Sequence, residues 1–131
     1  MKVNRSLYVF ALAAPLCTAS VSFAANLGDV HTSARFQGPK ANTGTVMHSV
    51  ENGRSILRVS ADFKVPDTPA PTWRVVDAQG NIYTLDAFKT KSGEKREVTV
   101  PSYIRDIARV QVWCAYAEVL LGETSFTPIV K

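Results

Sequence analysis

Residues 45–60 read TVMHSVENGRSILRVS, and this stretch decides the fold class. Side chains alternate across a strand, so every second residue from Val46 to Val50 shares one face, and the run after the turn alternates in the same way. Asn52 and Gly53 separate the two runs, and both residue types tolerate the positive φ that a two-residue hairpin turn requires. The stretch therefore predicts an antiparallel β-hairpin.

The remaining C-terminal sequence continues this pattern. Short β-rich runs alternate with turn residues about every 8 to 12 residues, and no window keeps an apolar period of 3.6 over three turns. Residues 73–85 predict a second hairpin, and residues 89–96 predict a solvated hairpin tip. Three prolines in residues 66–71 favour an extended loop. We expect an all-β fold, an antiparallel β-sandwich or small barrel of about seven to eight strands.

The first two dozen residues have the composition of an export signal. Lys2 and Arg5 give a basic start, and residues 7–14 form an uninterrupted apolar run. Ser22 and Ala24 stand where a signal peptidase reads small residues, so we expect cleavage after Ala24 or after Ala25. The apolar run is too short for a membrane anchor. We therefore expect the mature protein in the periplasm or outside the cell, with no stable membrane span.

Export divides the chain and changes its charge. We predict a signal peptide over residues 1–24, a polar lead over residues 25–34 and one β domain over residues 35–131. The 131-residue chain has 15 basic and 11 acidic side chains, a net charge of +4. Cleavage removes two basic side chains and leaves about +2, which gives no indication of nucleic acid binding. Cys17 leaves with the signal, so Cys114 stays as a single thiol.

The residue types that catalysis requires are sparse. Nucleophilic hydrolysis needs a serine or cysteine beside a general base, but the chain has only two histidines, His31 in the polar lead and His48 on an apolar strand face. The sequence also contains no G-x-S-x-G, H-E-x-x-H or glycine-rich phosphate motif. We therefore expect that the protein is not an enzyme acting alone.

Haem binding is restricted to a noncovalent form. Cys114 is not part of a C-x-x-C-H motif, so covalent attachment is excluded. Noncovalent haem needs only one or two axial ligands, and the thiol, His31, His48 and Met47 carry suitable atoms. Met47 and His48 are neighbours on a strand and point to opposite faces, so one iron cannot take both. The alternative role for His48 is that of a partly buried side chain with a local hydrogen bond.

Cys114 lies in the most apolar stretch of the mature chain, VQVWCAYAEVLL. Alternation places it on one face with Val110, Val112 and Tyr116, which aims the sulfur at the core, where a thiol in apolar surroundings is inert. An exported protein that keeps one unpaired thiol is unusual, however, which favours a redox or ligand role. The pattern changes phase at Ala117, as at a β-bulge, and bulges often lie beside functional sites. Core packing and redox chemistry both stay open.

The same region carries a family resemblance. VTVP at residues 98–101 and VQVWCAYAEVLLG at residues 110–122 resemble the DM-thirteen domain, a Skeletor-associated extracellular module often labelled an electron-transfer domain. Its most specific element is the pair Trp113 and Cys114. Upstream positions that fall in the family's order are Gly44, Asp62, Phe63 and Trp73.

The resemblance spans residues 35–126 and implies a β-sandwich-like extracellular module. One cysteine of that family is proposed to act in redox chemistry, as a bare thiol or by holding a group such as haem, and the modules accompany DOMON and cytochrome b domains. The likeness points to Cys114, with Trp113 beside it, and to a cytochrome-type or other exported redox partner. The chain departs from the family pattern at residues 66–71 and 95–97. The alternative function is a structural or interaction module with the cysteine as core filler.

Overall fold

The structure of the protein is a computed structural model that describes Pro15 and residues 28–131. The described residues form ten strands and no helix. In chain order the strands are β1 (His31–Thr32), β2 (Val46–Glu51), β3 (Arg54–Val59), β4 (Pro71–Val76), β5 (Ile82–Ala87), β6 (Lys89–Thr90), β7 (Gly93–Glu94), β8 (Glu97–Thr99), β9 (Ile107–Cys114) and β10 (Val119–Val130).

The all-β prediction is confirmed, with a correction to the strand count. Ten strands are present rather than seven to eight, because β1, β6 and β7 have two residues each and are too short to show alternation in the sequence. The predicted signal peptide, residues 1–24, lies outside the described residues apart from Pro15. None of the chain segments that the structure describes forms a helix long and apolar enough to cross a membrane.

Two four-stranded antiparallel sheets form the sandwich. One has the order β1-β2-β3-β8, the other has the order β10-β9-β4-β5, and β6 pairs with β7 in a short separate ribbon. The chain passes between the sheets after β3, after β5 and after β8. The first passage contains the proline-rich residues 66–71, and Pro71 is the first residue of β4. Proline is tolerated at the first position of a strand, so the proline-rich loop can end at Pro71, where the hydrogen bonding of β4 begins.

The β2–β3 hairpin has the turn that its sequence predicts. Asn52 and Gly53 have φ values of 50° and 74°, the left-handed conformation that these residue types accept most readily. The register pairs Val46 with Val59, and the pairing continues without a shift to the turn. The predicted hairpin is therefore confirmed.

An aromatic cluster fills the space between the sheets. Trp73 is fully buried, and its ring stacks on Phe88 with centroids 4.4 Å apart. Phe63 lies 5.5 Å from Phe88 and 5.0 Å from Phe36, measured between ring centroids. The indole N–H donates to the carbonyl of Lys95 at 3.1 Å, so the one polar group of the tryptophan is paired. This cluster is the centre of the core.

The segment of residues 33–41 covers part of the β10 edge. Gln37 and Glu123 exchange two backbone hydrogen bonds of 2.9 Å and 2.8 Å. A Cβ atom at Gly122 would overlap the carbonyl of Ala41 and lie 2.6 Å from its Cβ. The glycine is therefore required by the close approach of two backbones, and this length of β10 is protected from pairing with another chain.

Candidate functional site

Cys114 is the last residue of β9, and a turn of residues 115–118 leads from it to β10. Its cross-strand partners are Val119 on β10 and Pro71 on β4, so its backbone lies between two strands. The residue is only 1% exposed, whereas every residue from 115 to 120 is exposed. The thiol therefore lies in the core layer but directly beneath an exposed turn at one end of the sandwich.

The change of phase near Ala117 has a different cause from the one predicted. Residues 115–118 are the turn of a β9–β10 hairpin, and Glu118 has a φ of 54°. Tyr116 was placed on the core face by alternation but is 79% exposed. The two register shifts of this hairpin lie further along, on β10, between Leu120 and Gly122 and between Ser125 and Val130. The prediction of a bulge at Ala117 is wrong because the turn contains no glycine, proline or asparagine to mark it.

Hydrogen-bond donors converge on the sulfur of Cys114. The backbone N–H of Ala117 donates to Sγ at 3.5 Å, and the backbone N–H groups of Ala70 and Tyr116 also favour a negative charge there. The hydroxyl of Thr68 acts in the same direction, and its oxygen is buried without a hydrogen bond of normal geometry in the described residues. The Thr68 hydroxyl can therefore rotate to donate a hydrogen bond to a Cys114 thiolate.

These donors lower the pKa of the Cys114 thiol below its usual value. The hydrogen bond from Ala117 is the largest cause, and burial acts in the opposite direction without cancelling it. The direction is the reverse of that expected for a thiol in purely apolar surroundings. The environment of the sulfur thus makes the thiol easier to ionise than a cysteine free in water, and the thiolate is the nucleophilic form of cysteine.

Trp113, the second redox candidate, points to the opposite face of the sheet from Cys114. The guanidinium carbon of Arg74 lies 4.0 Å from the centre of its indole, a cation–π contact. Leu120 is its cross-strand partner on β10 and is 40% exposed. Trp113 therefore helps to cover Arg74 on the outer face of the sheet, and its ring does not line the sulfur.

Three exposed apolar side chains surround the end of the hairpin above the thiol. Tyr116 is 79% exposed, Val119 47% and Leu120 40%. We call these three residues the apolar rim. Val119 is the cross-strand partner of Cys114, whereas Leu120 pairs with Trp113 and lies on the opposite face of the sheet. Exposed apolar side chains are ordinary when scattered, but these three are close together at one end of the hairpin.

The axial-ligand candidates His48 and Met47 lie on β2, in the other sheet. His48 is buried, and its Nε2 shares a 2.8 Å hydrogen bond with the hydroxyl of Ser55. Burial, followed by the charge of His31, lowers the pKa of His48. Met47 points outwards and is 37% exposed. The two side chains therefore lie on opposite faces, and His48 has the local hydrogen bond that was its alternative role.

Cys114 and His48 lie at opposite ends of the sandwich. The ring of His48 contacts Phe126 edge-on, with centroids 6.4 Å apart. Phe126 follows Ser125 on β10, and Ser125 pairs with Arg109 on β9. Arg109 is five residues before Cys114, so about 17 Å of strand separates Cys114 from the part of the sandwich that contains His48. The thiol and the imidazole cannot bind one iron together. Among residues 28–131, no group of three or more His, Cys, Asp and Glu side chains is arranged to hold a metal ion.

The surroundings of Cys114 do not fit haem. An axial ligand must reach the iron with the macrocycle lying flat beside it. The sulfur of Cys114 is instead covered by residues 115–118 and approached by backbone N–H groups from two sides. We therefore derive no haem chemistry for this site.

No protein-family model, curated protein or solved structure matches the chain. The DM-thirteen resemblance thus rests on the sequence patterns alone.

The contribution of Thr68 and Ala70 was not foreseen from the sequence. Both lie in the proline-rich passage before β4, and the pairing of β4 with β9 brings that passage to the sulfur. The only local signal is that Pro71 begins the strand that pairs with Cys114. Neither residue type by itself indicates a thiolate site.

Proposed function

We propose that the protein is an exported redox accessory module that acts through Cys114 as a single reactive thiol. The observation that carries the proposal is the group of hydrogen-bond donors around the sulfur, which lowers the pKa of the thiol. The resemblance to the DM-thirteen domain and the predicted export signal support the same function. The active form is a bare thiol, since the surroundings of the sulfur do not fit haem.

The proposed reaction is thiol–disulfide exchange with an exported disulfide protein. The Cys114 thiolate attacks one sulfur of the partner's disulfide, a new S–S bond forms, and the partner's other sulfur leaves as a thiolate. The electron pairs thus stay with the sulfur atoms, and the partner gains one thiol. Residues 25–131 contain no second cysteine, so the mixed disulfide is resolved by a thiol of the partner or a small thiol.

Reaction requires movement of the turn over the sulfur. Cys114 is 1% exposed, but the covering residues 115–118 are all exposed and bury little apolar surface. Segments of this kind open locally at a small fraction of the cost of global unfolding. A partner that contacts Tyr116 and Val119 of the apolar rim would lie beside the thiol when the turn opens.

A second candidate function is an interaction module in which Cys114 only fills the core. The 1% exposure of the residue and its contacts within the core cluster favour it. In that case the apolar rim alone binds the partner, and the thiol has no chemical role. The two functions differ in whether the folded protein reacts with a disulfide.

The test is to incubate the exported, folded protein with oxidised glutathione and measure its intact mass. We expect one glutathione adduct per chain under native conditions and none in the Cys114→Ser variant. Thr68→Val removes the hydroxyl near the sulfur at nearly constant volume, so we expect slower adduct formation in a chain with an unchanged circular dichroism spectrum. Adduct formation only in denaturant would refute the redox function and favour the interaction module.

A further inference from the structure

A pocket with unassigned chemistry lies at the end of the sandwich opposite to Cys114. It has a volume of about 190 Å³. The turn between β4 and β5, residues 77–81, forms one side of it, and the segment just before β9, residues 103–106, forms the other. Both segments adjoin the end of β4 at Val76, whereas Cys114 pairs with its beginning at Pro71.

Two tyrosines form an aromatic wall in this pocket. Tyr103 is 68% exposed, and its ring centroid lies 6.0 Å from that of Tyr83. The hydroxyl of Tyr83 donates to Oδ2 of Asp77 at 3.2 Å, which fixes the orientation of its ring. The exposed ring of Tyr103 therefore rests against a second ring that is itself held in place.

The polar side of the pocket is rigid before any ligand binds. Oδ1 of Asp77 accepts hydrogen bonds from the backbone N–H groups of Gln79 at 3.0 Å and Asn81 at 2.8 Å. The side-chain amide of Asn81 donates to Oδ2 of Asp77 at 2.9 Å, and Asp106 accepts from the backbone N–H of Ala78 at 2.6 Å. A turn fixed by four such bonds loses little conformational entropy when a ligand binds.

Several polar groups of the pocket have no partner in the described residues. The side-chain amide of Gln79, the hydroxyl of Tyr103 and the guanidinium of Arg105 make no hydrogen bond or ion pair there. Oδ2 of Asp106 is likewise unused. The pocket therefore combines one exposed aromatic face with planar donors and acceptors that are available to a ligand.

We propose that this pocket binds a neutral carbohydrate. A sugar ring has an apolar C–H face, which fits the ring of Tyr103, and a rim of hydroxyl groups, which fits Gln79, Arg105 and Asp106. The lining has two carboxylates, Asp77 and Asp106, and one cation, Arg105, so its net charge of −1 disfavours a phosphate or sulfate in the same space. A neutral oligosaccharide contacts both the aromatic face and the polar side chains of the pocket without placing a negative charge beside the two carboxylates.

The experiment is an NMR titration of the isotope-labelled protein with soluble oligosaccharides of glucose, xylose, mannose and N-acetylglucosamine at millimolar concentration. We expect at least one of them to shift the amide signals of residues 77–83 and 103–106. Tyr103→Ala should weaken that binding about tenfold, since it removes the stacking face. Tyr116→Ala is the matched control, because this tyrosine is 79% exposed at the opposite end of the sandwich and should leave the affinity unchanged.

Two results overturn the proposal. One is that no oligosaccharide shifts these signals, including the case in which a proline-rich peptide or a single-stranded oligonucleotide does so instead. The other is that Tyr103→Ala, with an otherwise unchanged amide spectrum, binds as tightly as the wild type. Cys114→Ser should bind the oligosaccharide normally, so the outcome is independent of the redox function.

Discussion

Replacing Gly122 with alanine tests how the segment of residues 33–41 is held against β10. The new Cβ would overlap the carbonyl of Ala41 and lie 2.6 Å from its Cβ. Because these neighbouring atoms belong to the backbone and to the short side chain of Ala41, no flexible group can rotate away. Either the two backbones strain at this point, or the segment separates from the strand.

The loss of free energy of unfolding in Gly122→Ala is set by whichever costs less, strain of the two backbones or separation of the segment from β10. Overpacking a well-packed contact costs about 1–3 kcal/mol. Separation instead breaks five backbone hydrogen bonds, each worth about 0.5–1.5 kcal/mol net, for a total of about 2.5–7.5 kcal/mol. Their donors are the backbone N–H groups of Ala34, Gln37, Lys40, Ala41 and Glu123. We therefore expect Gly122→Ala to lower the free energy of unfolding by about 1–3 kcal/mol.

The assay is equilibrium unfolding in urea, followed by the fluorescence of the buried Trp73. Ser125→Ala is the control, because Ser125 is exposed on the same strand, and it should change the free energy of unfolding by less than about 0.5 kcal/mol. If Gly122→Ala also changes it by less than about 0.5 kcal/mol, the close approach of the two backbones is not present in solution.

Two further predictions concern buried side chains. The pKa of His48 is lowered by burial and then by the charge of His31, so the unfolded chain takes up the proton first and the free energy of unfolding should fall as the pH drops below about 6.5. Urea unfolding at a series of pH values measures this pH dependence of the free energy of unfolding. His48→Gln should remove most of it, and His31→Gln should reduce it only in part. If the dependence is unchanged in His48→Gln, the pH effect does not come from His48. Trp73→Phe leaves the carbonyl of Lys95 without its donor and should lower the free energy of unfolding by about 1–3 kcal/mol, measured in urea by circular dichroism because the variant lacks the fluorescent side chain. Trp113→Phe, on the outer face, should cost less in the same measurement, and equal costs would contradict the burial described for Trp73.

The β2–β3 hairpin could be predicted because its information is local. Asn52 and Gly53 specify the turn, and the alternation on either side specifies the faces. The β9–β10 hairpin could not be predicted in this way. Its turn contains two alanines, a tyrosine and Glu118, and the left-handed conformation of Glu118 is adopted within the pairing of two long strands rather than favoured by its residue type. Tertiary pairing thus overrides the local pattern there.

The sequence identified Cys114 as the candidate site residue, but it did not indicate which groups surround its sulfur. Cys114 stands out in the sequence because it is the single thiol that remains after the predicted signal peptide, residues 1–24, is removed. The direction of its pKa depends on Ala117, which follows it in the turn, and on Thr68 and Ala70, which are distant in sequence. Only the pairing of β4 with β9 brings the latter two to the sulfur.

The most direct test of the redox function is the pH dependence of Cys114 alkylation by iodoacetamide in the folded protein. We predict a half-maximal rate at a lower pH than for the same chain unfolded in urea, since the N–H group of Ala117 and the other donors stabilise the thiolate. Thr68→Val should move that midpoint upwards. A midpoint at or above that of the unfolded chain, or alkylation no faster than global unfolding, would contradict the function and leave Cys114 as a core residue.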